Sequence, residues 1–284
     1  MSPRFSLVMP AYNEVARLPP YLASIREHFG KMFGDCYEVI VVDDGSRDGL
    51  ADALRRLAAD WPQLSVLTFP CNRGKGAAVR AGVLAARGEL ILFADADGAT
   101  PIAEERSLRQ ALEQGCDLAI GSRLCSAATR VERLRHRSLC GRLFAWSVRQ
   151  LFGLSLRDTQ CGFKMFRREQ GQILLRLCRE PGYLIDVELL VYAHRLGLRI
   201  AEVPVFWRDV PGSQVRLLRD GLKMLRGFWR LRRSFHELDL TCHEINPLSF
   251  ADVALATVPS ASGGSRSRGR PSDLSARPQC SQQR

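Results

Sequence analysis

The chain has 284 residues, of which 46% are hydrophobic, and its formal net charge is +11. This length and composition exclude a wholly disordered chain and are sufficient for one large domain with a buried core. Nine scattered cysteines without a C-x-x-C pair favour neither a disulfide framework nor a zinc site, and they indicate a reducing compartment. No stretch reaches the roughly 18 uncharged apolar residues of a membrane span, so we expect no membrane-spanning segment.

Five short apolar runs alternate with amphipathic stretches along the first 120 residues. The runs are FSLVM (5–9), YEVIVV (37–42), LSVLTF (64–69), ELILFA (89–94) and DLAIG (117–121). Such runs, rich in β-branched and aromatic residues and spaced by helix-length segments, predict the strands of a mostly parallel sheet. We therefore expect an α/β fold, with any ligand bound beyond the carboxyl ends of the strands.

A polar cluster follows each of the first four runs. The clusters are PAYNE (10–14), DDGS (43–46), NRGKG (72–76) and DAD (95–97). Each alone is ordinary turn and capping chemistry, and NRGKG has neither the phosphate-loop nor the dinucleotide-binding spacing. All four fall on one edge of one sheet, however, and capping does not explain paired acids after two strands. The pattern favours a binding site at this edge.

The acidic pair Asp95 and Asp97 indicates a cation in that site. Side chains at i and i+2 of an extended chain point to the same side, so the two carboxylates can converge just past the strand end. Mg²⁺ is usually held by one or two carboxylates together with substrate phosphates. An ion bound in this way can neutralise the charge that grows on a departing diphosphate.

The motifs resemble those of a known family. PAYNE, VDDGS, NRGKG, DADGAT, GSR and DTQCGFK occur in the order and spacing of the inverting family 2 glycosyltransferases, which have the GT-A fold. The resemblance extends from about Phe5 to about Arg233, and DADGAT, RDTQCGFK and IDVELL are similar to the branch that transfers glucose to dolichyl phosphate. It implies inverting transfer of a hexose from UDP-glucose to a polyprenyl or dolichyl phosphate, with Mg²⁺ or Mn²⁺ as the cofactor.

The resemblance also implies which residues bind the nucleotide sugar. Asp44 reads the base, Asp95 faces the sugar beside Ala96, and Asp97 binds the metal ion at the diphosphate. The further nucleotide-sugar residues that it implies are Pro10, Tyr12, Glu14 and Arg208.

Two arginines complete the expected catalytic set, which is Asp95, Asp97, Arg123 and Arg137. The resemblance implies that Arg123 of GSR reaches the phosphates, and the pair Arg137-Ser138 matches the related enzymes. We therefore assign Arg137 to the acceptor phosphate, because the planar fork of arginine suits phosphate oxygens; a solvated surface role is the alternative.

One departure from the family pattern concerns the donor side. Related enzymes usually carry Gly-Ser-Lys near the end of the domain, whereas this chain has Gly212-Ser213-Gln214. The missing lysine removes an expected diphosphate contact, for which Arg208 and Arg216 are the candidate replacements. A weakened nucleotide-binding homologue is therefore a second hypothesis.

Two basic amphipathic segments predict contact with an anionic membrane surface. In residues 216–233 one apolar stripe lies beside a face of basic residues. The stripe is Leu218, Leu222, Leu225 and Trp229, widened by Leu217, Met224 and Phe228, and the basic face is Arg219, Lys223, Arg226, Arg230 and Arg233. Residues 135–152 are apolar around most of a helix, with arginine every seven residues. Packing of both segments against the sheet is the alternative.

We expect a catalytic domain over residues 1–235 and a C-terminal tail over 236–284, disordered from about residue 257. The expected location is cytoplasmic, peripheral on the cytoplasmic face of a membrane. GDP-mannose as the donor, or a soluble acceptor, is the alternative chemistry. The net charge would also suit nucleic-acid binding, but no recognised module is present, so we expect no nucleic-acid partner.

Overall fold

A computed structural model describes residues 3–124, 131–132 as backbone, 146–210, 227–233 and 235. In this part of the chain seven strands form one sheet, in the order β3-β2-β1-β4-β7-β5-β8. They are β1 (Phe5–Ala11), β2 (Tyr37–Asp43), β3 (Leu64–Thr68), β4 (Leu90–Ala94), β5 (Leu118–Ser122), β7 (Phe163–Arg167) and β8 (Ile200–Pro204). A separate ladder pairs β6 (Val131–Glu132) with β9 (Trp207–Arg208).

Helices connect these strands and cover both faces of the sheet. They are α1 (Leu18–Phe33), α2 (Leu50–Ala59), α3 (Lys75–Ala85), α4 (Glu105–Glu113), α6 (Arg168–Leu177) and α7 (Ile185–Arg195). Two further helices border undescribed residues, so we give only their described parts, which are α5 (146–152) and α8 (227–233). A 3-10 turn, Ile102–Glu104, precedes α4.

The predicted α/β fold is confirmed. Each of the five apolar runs forms a strand, β1 to β5, and β1, β2, β3 and β4 pair in parallel. The exception to parallel pairing is β7, which lies between β4 and β5 and runs antiparallel to both. This insertion brings the start of β7 beside the end of β4, and therefore beside the DAD cluster.

Alternate side chains of the central strands supply two cores, one on each face of the sheet. Met9 of β1 packs in the core that includes Leu22 of α1. Its neighbour Val8 points the other way, into the core that includes Val79 of α3 and Leu190 of α7. The central strands are packed on both faces, so the loops at their carboxyl ends are held in fixed positions relative to one another.

The opposite, amino-terminal edge of the sheet contains a buried carboxylate that pairs with an exposed arginine. Glu38 of β2 is 5% exposed and accepts hydrogen bonds from Ser6 Oγ at 2.6 Å and from the Arg87 backbone amide at 2.6 Å. The Arg87 guanidinium Nη2 also lies 3.0 Å from the Glu38 carboxylate. This pair stabilises the turn between α3 and β4 at the edge away from the polar clusters.

Helices α5 and α8 contact each other and the second core. The Phe152 and Phe228 rings lie 6.3 Å apart between centroids, and Phe228, Leu231 and Phe235 are buried. Phe228 therefore packs against the domain, which corrects its expected place in the exposed apolar stripe. Trp229 lies on the other side of the same helix and is 72% exposed. The rest of that stripe, and residues 135–145, lie outside the described part of the chain.

Among the described residues, no helix combines the length and apolar character needed to cross a membrane. Phe235, at the expected domain boundary, is buried in the second core. The expected tail over 236–284 lies outside the described residues, so the boundary and the tail stay predictions.

Candidate active site

Asp44 joins the loop after β2 to the loop after β3. Its two carboxylate oxygens accept hydrogen bonds from the backbone amides of Arg73, at 2.6 Å, and Gly74, at 2.8 Å. Burial raises the pKa of Asp44, and the two amide donors oppose that effect. These hydrogen bonds join the DDGS and NRGKG loops. We call the two joined loops the rim, and the buried Asp44 carboxylate lies between them.

The PAYNE turn is fastened to the same rim. Asn13 adopts a left-handed backbone conformation, with φ of 54°. Its amide donates to Ser46 Oγ at 2.9 Å, and its side-chain oxygen accepts from the Arg47 amide at 2.9 Å. Pro10 and Tyr12 are half-buried beside this turn. The turn therefore lies next to the DDGS loop, at the sheet edge where the sequence placed both clusters.

Glu14 has a local partner in the structure. Its carboxylate pairs with the Arg17 guanidinium, and its backbone oxygen accepts from the amides of Arg17 and Leu18 at the start of α1. Burial raises the pKa of Glu14, while Arg17 lowers it. The residue expected to line the nucleotide pocket thus also holds the first turn of α1.

Asp95 is fixed on two sides at the end of β4. Its amide donates to the Gly162 oxygen at 2.8 Å, and its Oδ1 lies 2.9 Å from Lys75 Nζ. Burial raises the pKa of Asp95, Lys75 opposes this, and the nearby Asp97 charge adds to it. The two carboxylates of the DAD cluster therefore interact electrostatically, with a lysine beside one of them.

Gly162 leaves the space that the Asp95 side chain occupies. A Cβ at residue 162 would lie 1.9 Å from Asp95 Oδ2. No side chain larger than hydrogen fits there unless Asp95 moves. The DTQCGFK motif therefore requires glycine at residue 162 on steric grounds, because the antiparallel pairing of β7 with β4 places this residue against Asp95.

A buried ionic cluster behind Asp95 was not predicted from the sequence. Lys75 Nζ lies 3.0 Å from Asp186 Oδ2, and Lys164 Nζ donates to Asp186 Oδ1. Lys164 is 0% exposed and Asp186 is 3% exposed. Burial raises the pKa of Asp186, but Lys164 and Lys75 outweigh burial and lower it overall. A lysine within the apolar strand FKMFR was the available sequence signal.

Arg123 makes a two-pronged contact with a buried carboxylate. Its Nε and Nη2 donate to the two oxygens of Asp158 at 2.7 and 2.8 Å, and its guanidinium lies 5.6 Å from the Trp207 ring centroid. The Asp158 amide in turn donates to Glu202 at 2.8 Å. Arg123 is thus held in one orientation by Asp158.

Of the other arginines in the expected site, only Arg208 lies within the described residues. Arg208 is exposed, and its amide donates to the Ala99 oxygen at 2.9 Å, which brings β9 against the loop that follows Asp97. Arg137, Arg216 and Gln214 lie outside the described residues. The structure therefore brings the PAYNE, DDGS, NRGKG and DAD clusters to one edge, together with Arg123 and the backbone of Arg208.

The donor set at the end of β4 fits a divalent cation that also binds phosphate oxygens. Asp97 is half-buried, and its Oδ1 accepts from the Ala99 amide at 3.0 Å. Within the described ranges no group of three or more His, Cys, Asp or Glu side chains could hold a metal alone. Mg²⁺ is usually bound by one or two carboxylates plus substrate phosphates, and Asp97 could supply one such carboxylate.

The strand order, the inserted antiparallel β7 and the acidic edge define a glycosyltransferase of the GT-A class. The chain belongs to glycosyl transferase family 2, whose sequence profile matches residues 6–170. It is therefore an enzyme of the glycosyltransferase class, as the motifs predicted.

Its relatives include named transferases. It is 38% identical, over 75% of this chain and 68% of the relative, to dolichyl-phosphate beta-glucosyltransferase ALG5A of Trichomonas vaginalis. It is 36% identical to the dolichyl-phosphate beta-glucosyltransferase of Mus musculus, over 81% of this chain and 79% of that one. Among solved structures, glucosyl-3-phosphoglycerate synthase from Mycobacterium tuberculosis, in complex with Mn²⁺ and UDP-glucose, is 26% identical with a TM-score of 0.57. That match covers 79% of this chain and 76% of the synthase chain.

We expect Gly162→Ala to impair catalysis without unfolding the protein, because the added methyl group displaces Asp95. A misplacement of this size lowers transfer rates roughly tenfold to a hundredfold. The measurement compares transfer kinetics and thermal unfolding with Gly30→Ala, a matched control in α1 where a Cβ meets nothing within 4 Å. Unchanged kinetics in Gly162→Ala would show that the Asp95 position does not matter for transfer.

Proposed function

We propose that this protein transfers glucose from UDP-glucose to dolichyl or polyprenyl phosphate, with inversion at the anomeric carbon. In this proposal it acts as a peripheral protein on the cytoplasmic face of a membrane. Mg²⁺ or Mn²⁺ is the proposed cofactor.

One observation carries the proposal. The acidic edge formed by Asp44, Asp95 and Asp97 belongs to a chain that is 33–38% identical to several dolichyl-phosphate beta-glucosyltransferases over 75–81% of its length. The likeness to a synthase in complex with UDP-glucose supports the same donor. A mannosyltransferase in complex with GDP-mannose is 21% identical, which supports the fold alone and gives no reason to prefer that donor.

The proposed donor site uses the rim and the acidic pair. Asp44 and the PAYNE turn bind the base and ribose, Asp95 faces the sugar, and Asp97 holds the metal ion. When bound, the divalent ion neutralises charge on the diphosphate. The Lys75 ammonium beside Asp95 supports this arrangement, because a neutralised carboxylate does not repel the incoming diphosphate.

The acceptor requires little help from a general base. A phosphate monoester has a second pKa near 6, so its oxygen is already an anion at neutral pH. The protein must instead hold two anionic substrates close together, for which arginine is suited. Arg123 is held in one orientation by Asp158, which supports a role in positioning phosphate, and Arg137 is the second proposed contact.

Exposed tryptophans on α5 and α8 support contact with a membrane. Trp146 is 53% exposed and Trp229 is 72% exposed, and the two helices pack together through Phe152 and Phe228. Arg230 on α8 pairs with Glu180 at 3.5 Å, and 67% of its side chain is exposed. Tryptophan beside basic residues is typical of helices that lie at an anionic lipid surface.

The test of this function is a transfer assay with a panel of donors and acceptors. Purified protein, Mg²⁺ or Mn²⁺, radiolabelled UDP-glucose or GDP-mannose, and dolichyl or polyprenyl phosphate are combined, and organic-extractable label is counted. We expect label from UDP-glucose and a β-linked product by NMR, since a single displacement inverts the α-linked donor. Label from GDP-mannose alone, or a product with retained configuration, would contradict the proposal.

The metal assignment predicts that Asp97→Asn and EDTA each reduce transfer by roughly a hundredfold or more, because several kcal/mol of transition-state stabilisation are lost. Excess Mg²⁺ or Mn²⁺ should restore the chelated wild-type enzyme but not the variant. Asp52→Asn, which removes an exposed carboxylate on α2, is the matched control and should retain activity. Metal-independent transfer by the wild-type enzyme would remove Asp97 from this role.

The membrane assignment predicts that the double variant Trp146→Ser/Trp229→Ser floats poorly with anionic liposomes. Burying one aromatic side chain contributes about 1.5–3 kcal/mol, so losing both should weaken partitioning tenfold or more. Leu84→Ser, a control at a 37% exposed position on α3, should float like the wild-type protein. Equal flotation of the double variant would show that these helices do not contact lipid.

A further inference from the structure

The ionic cluster behind Asp95 joins four separate elements of the fold. Lys75 begins α3, Asp95 follows β4, Lys164 lies in β7, and Asp186 lies in the first turn of α7. The contacts run in one line, from Asp95 to Lys75 at 2.9 Å, from Lys75 to Asp186 at 3.0 Å, and from Asp186 to Lys164. Two positive and two negative side chains are therefore paired in series behind the acidic edge.

Asp186 is at the centre of this line, and both of its oxygens are occupied. Oδ2 accepts from Lys75 and Oδ1 from Lys164, whose ammonium also donates to the Cys161 oxygen at 2.5 Å. A carboxylate engaged by two ammonium groups is not available to accept a proton from a substrate. The Asp186 carboxylate is instead suited to orienting the Lys75 ammonium group.

The backbone around Lys75 is held as closely as its side chain. The Pro181 oxygen accepts from the Gly76 amide at 2.7 Å, and a Cβ at Gly76 would lie 2.1 Å from the Glu180 oxygen. The loop that contains these two oxygens is shaped by Glu188 of α7, which accepts from the Arg179 and Glu180 amides. The first turns of α7 therefore fix both the backbone and the ammonium group of Lys75.

Stability alone is a weak reason for such a cluster. Desolvating paired charges can cost as much as their attraction returns, and apolar replacements of similar volume are often equally stable. The cluster contacts Asp95 on one side and the apolar core on the other, with Lys75 Nζ 5.1 Å from the Phe93 ring centroid. The one group in this line that faces the proposed donor site is Asp95.

We propose that Asp186 is a positioning residue for sugar transfer, which acts through Lys75 to hold the Asp95 carboxylate, with Lys164 as the balancing charge. This inference rests on the proposed function, in which Asp95 faces the donor sugar. Asp186 is 3% exposed and lies behind Lys75, so its loss should affect the rate of transfer more than the affinity for the nucleotide.

The experiment uses the full chain and three variants: Asp186→Asn, the double variant Asp186→Asn/Lys164→Met, and Glu38→Gln. The single variant leaves Lys164 buried without its carboxylate, so a lower melting temperature is expected. The double variant removes that uncompensated charge, so the melting temperature should recover. Glu38→Gln changes a buried carboxylate that pairs with an exposed arginine at the opposite edge of the sheet, away from Asp95.

The double variant separates positioning from folding. If Asp186 positions Asp95, kcat stays roughly tenfold to a hundredfold below wild type in the double variant, while the dissociation constant of UDP changes less than twofold. Glu38→Gln should lose thermal stability without this loss of kcat. Recovery of kcat together with the melting temperature, or a kcat within twofold of wild type in Asp186→Asn, would overturn the inference.

A second measurement keeps this result separate from the proposed function. A wild-type protein that transfers no sugar in the donor and acceptor panel would contradict the proposed function, and hydrogen exchange would then decide the inference. The Asp95 amide, which donates to Gly162, should exchange faster in the double variant than in the wild-type protein or in Glu38→Gln. Equal hydrogen exchange at the Asp95 amide in all three proteins would overturn the inference about Asp186.

Discussion

Several carboxylates gathered at one edge of a sheet repel one another, and compensating partners make their proximity less costly. This constraint organises the carboxyl edge of the sheet. Asp44 is compensated by two backbone amides, Asp95 by Lys75, Asp158 by Arg123, and Asp186 by two lysines. Asp97 has a single amide donor among the described residues. In the proposed function, Asp97 is the acid that holds the cation.

The compensating partners reach this edge because of close backbone approaches. The antiparallel strand β7 brings Gly162 against Asp95 and Lys164 beneath it, whereas a parallel neighbour would present other residues at that level. On the other side, Gly76 lets the start of α3 approach the Glu180 oxygen, which places Lys75 between two carboxylates. The electrostatics of the site thus depend on two positions where a side chain would not fit.

The helices that border the undescribed residues connect the core to a solvent-facing surface. Phe228 and Leu231 anchor α8 in the second core, while Trp229 projects outward beside Arg230. Because α8 is anchored in this way, its exposed tryptophan has a fixed position relative to the domain. In the proposed function, this arrangement would keep a membrane-bound phosphate at a fixed distance from the nucleotide sugar.

The sequence by itself determined the fold class, the first five strands and the clusters that follow them. Local pattern was sufficient, because a strand buried on both faces must be apolar, and an acid directly after it must lie at the sheet edge. The family resemblance also followed from short contiguous motifs such as DADGAT and DTQCGFK. The sequence placed Asp95 and Asp97 together through the two-residue period of an extended chain, whereas β4 ends at Ala94 and Asp97 lies in the turn that follows.

Only the tertiary structure decided which charges meet. Lys75, Asp186 and Lys164 are separated by up to 111 residues along the chain, and their pairing depends on the antiparallel insertion of β7 and on the docking of α7. The same holds for Arg123 with Asp158, and for Phe228, whose place in an apolar stripe did not reveal that it faces the core. Periodicity records which side of an element is apolar, but the partner of a buried charge is set by long-range packing, which no local pattern contains.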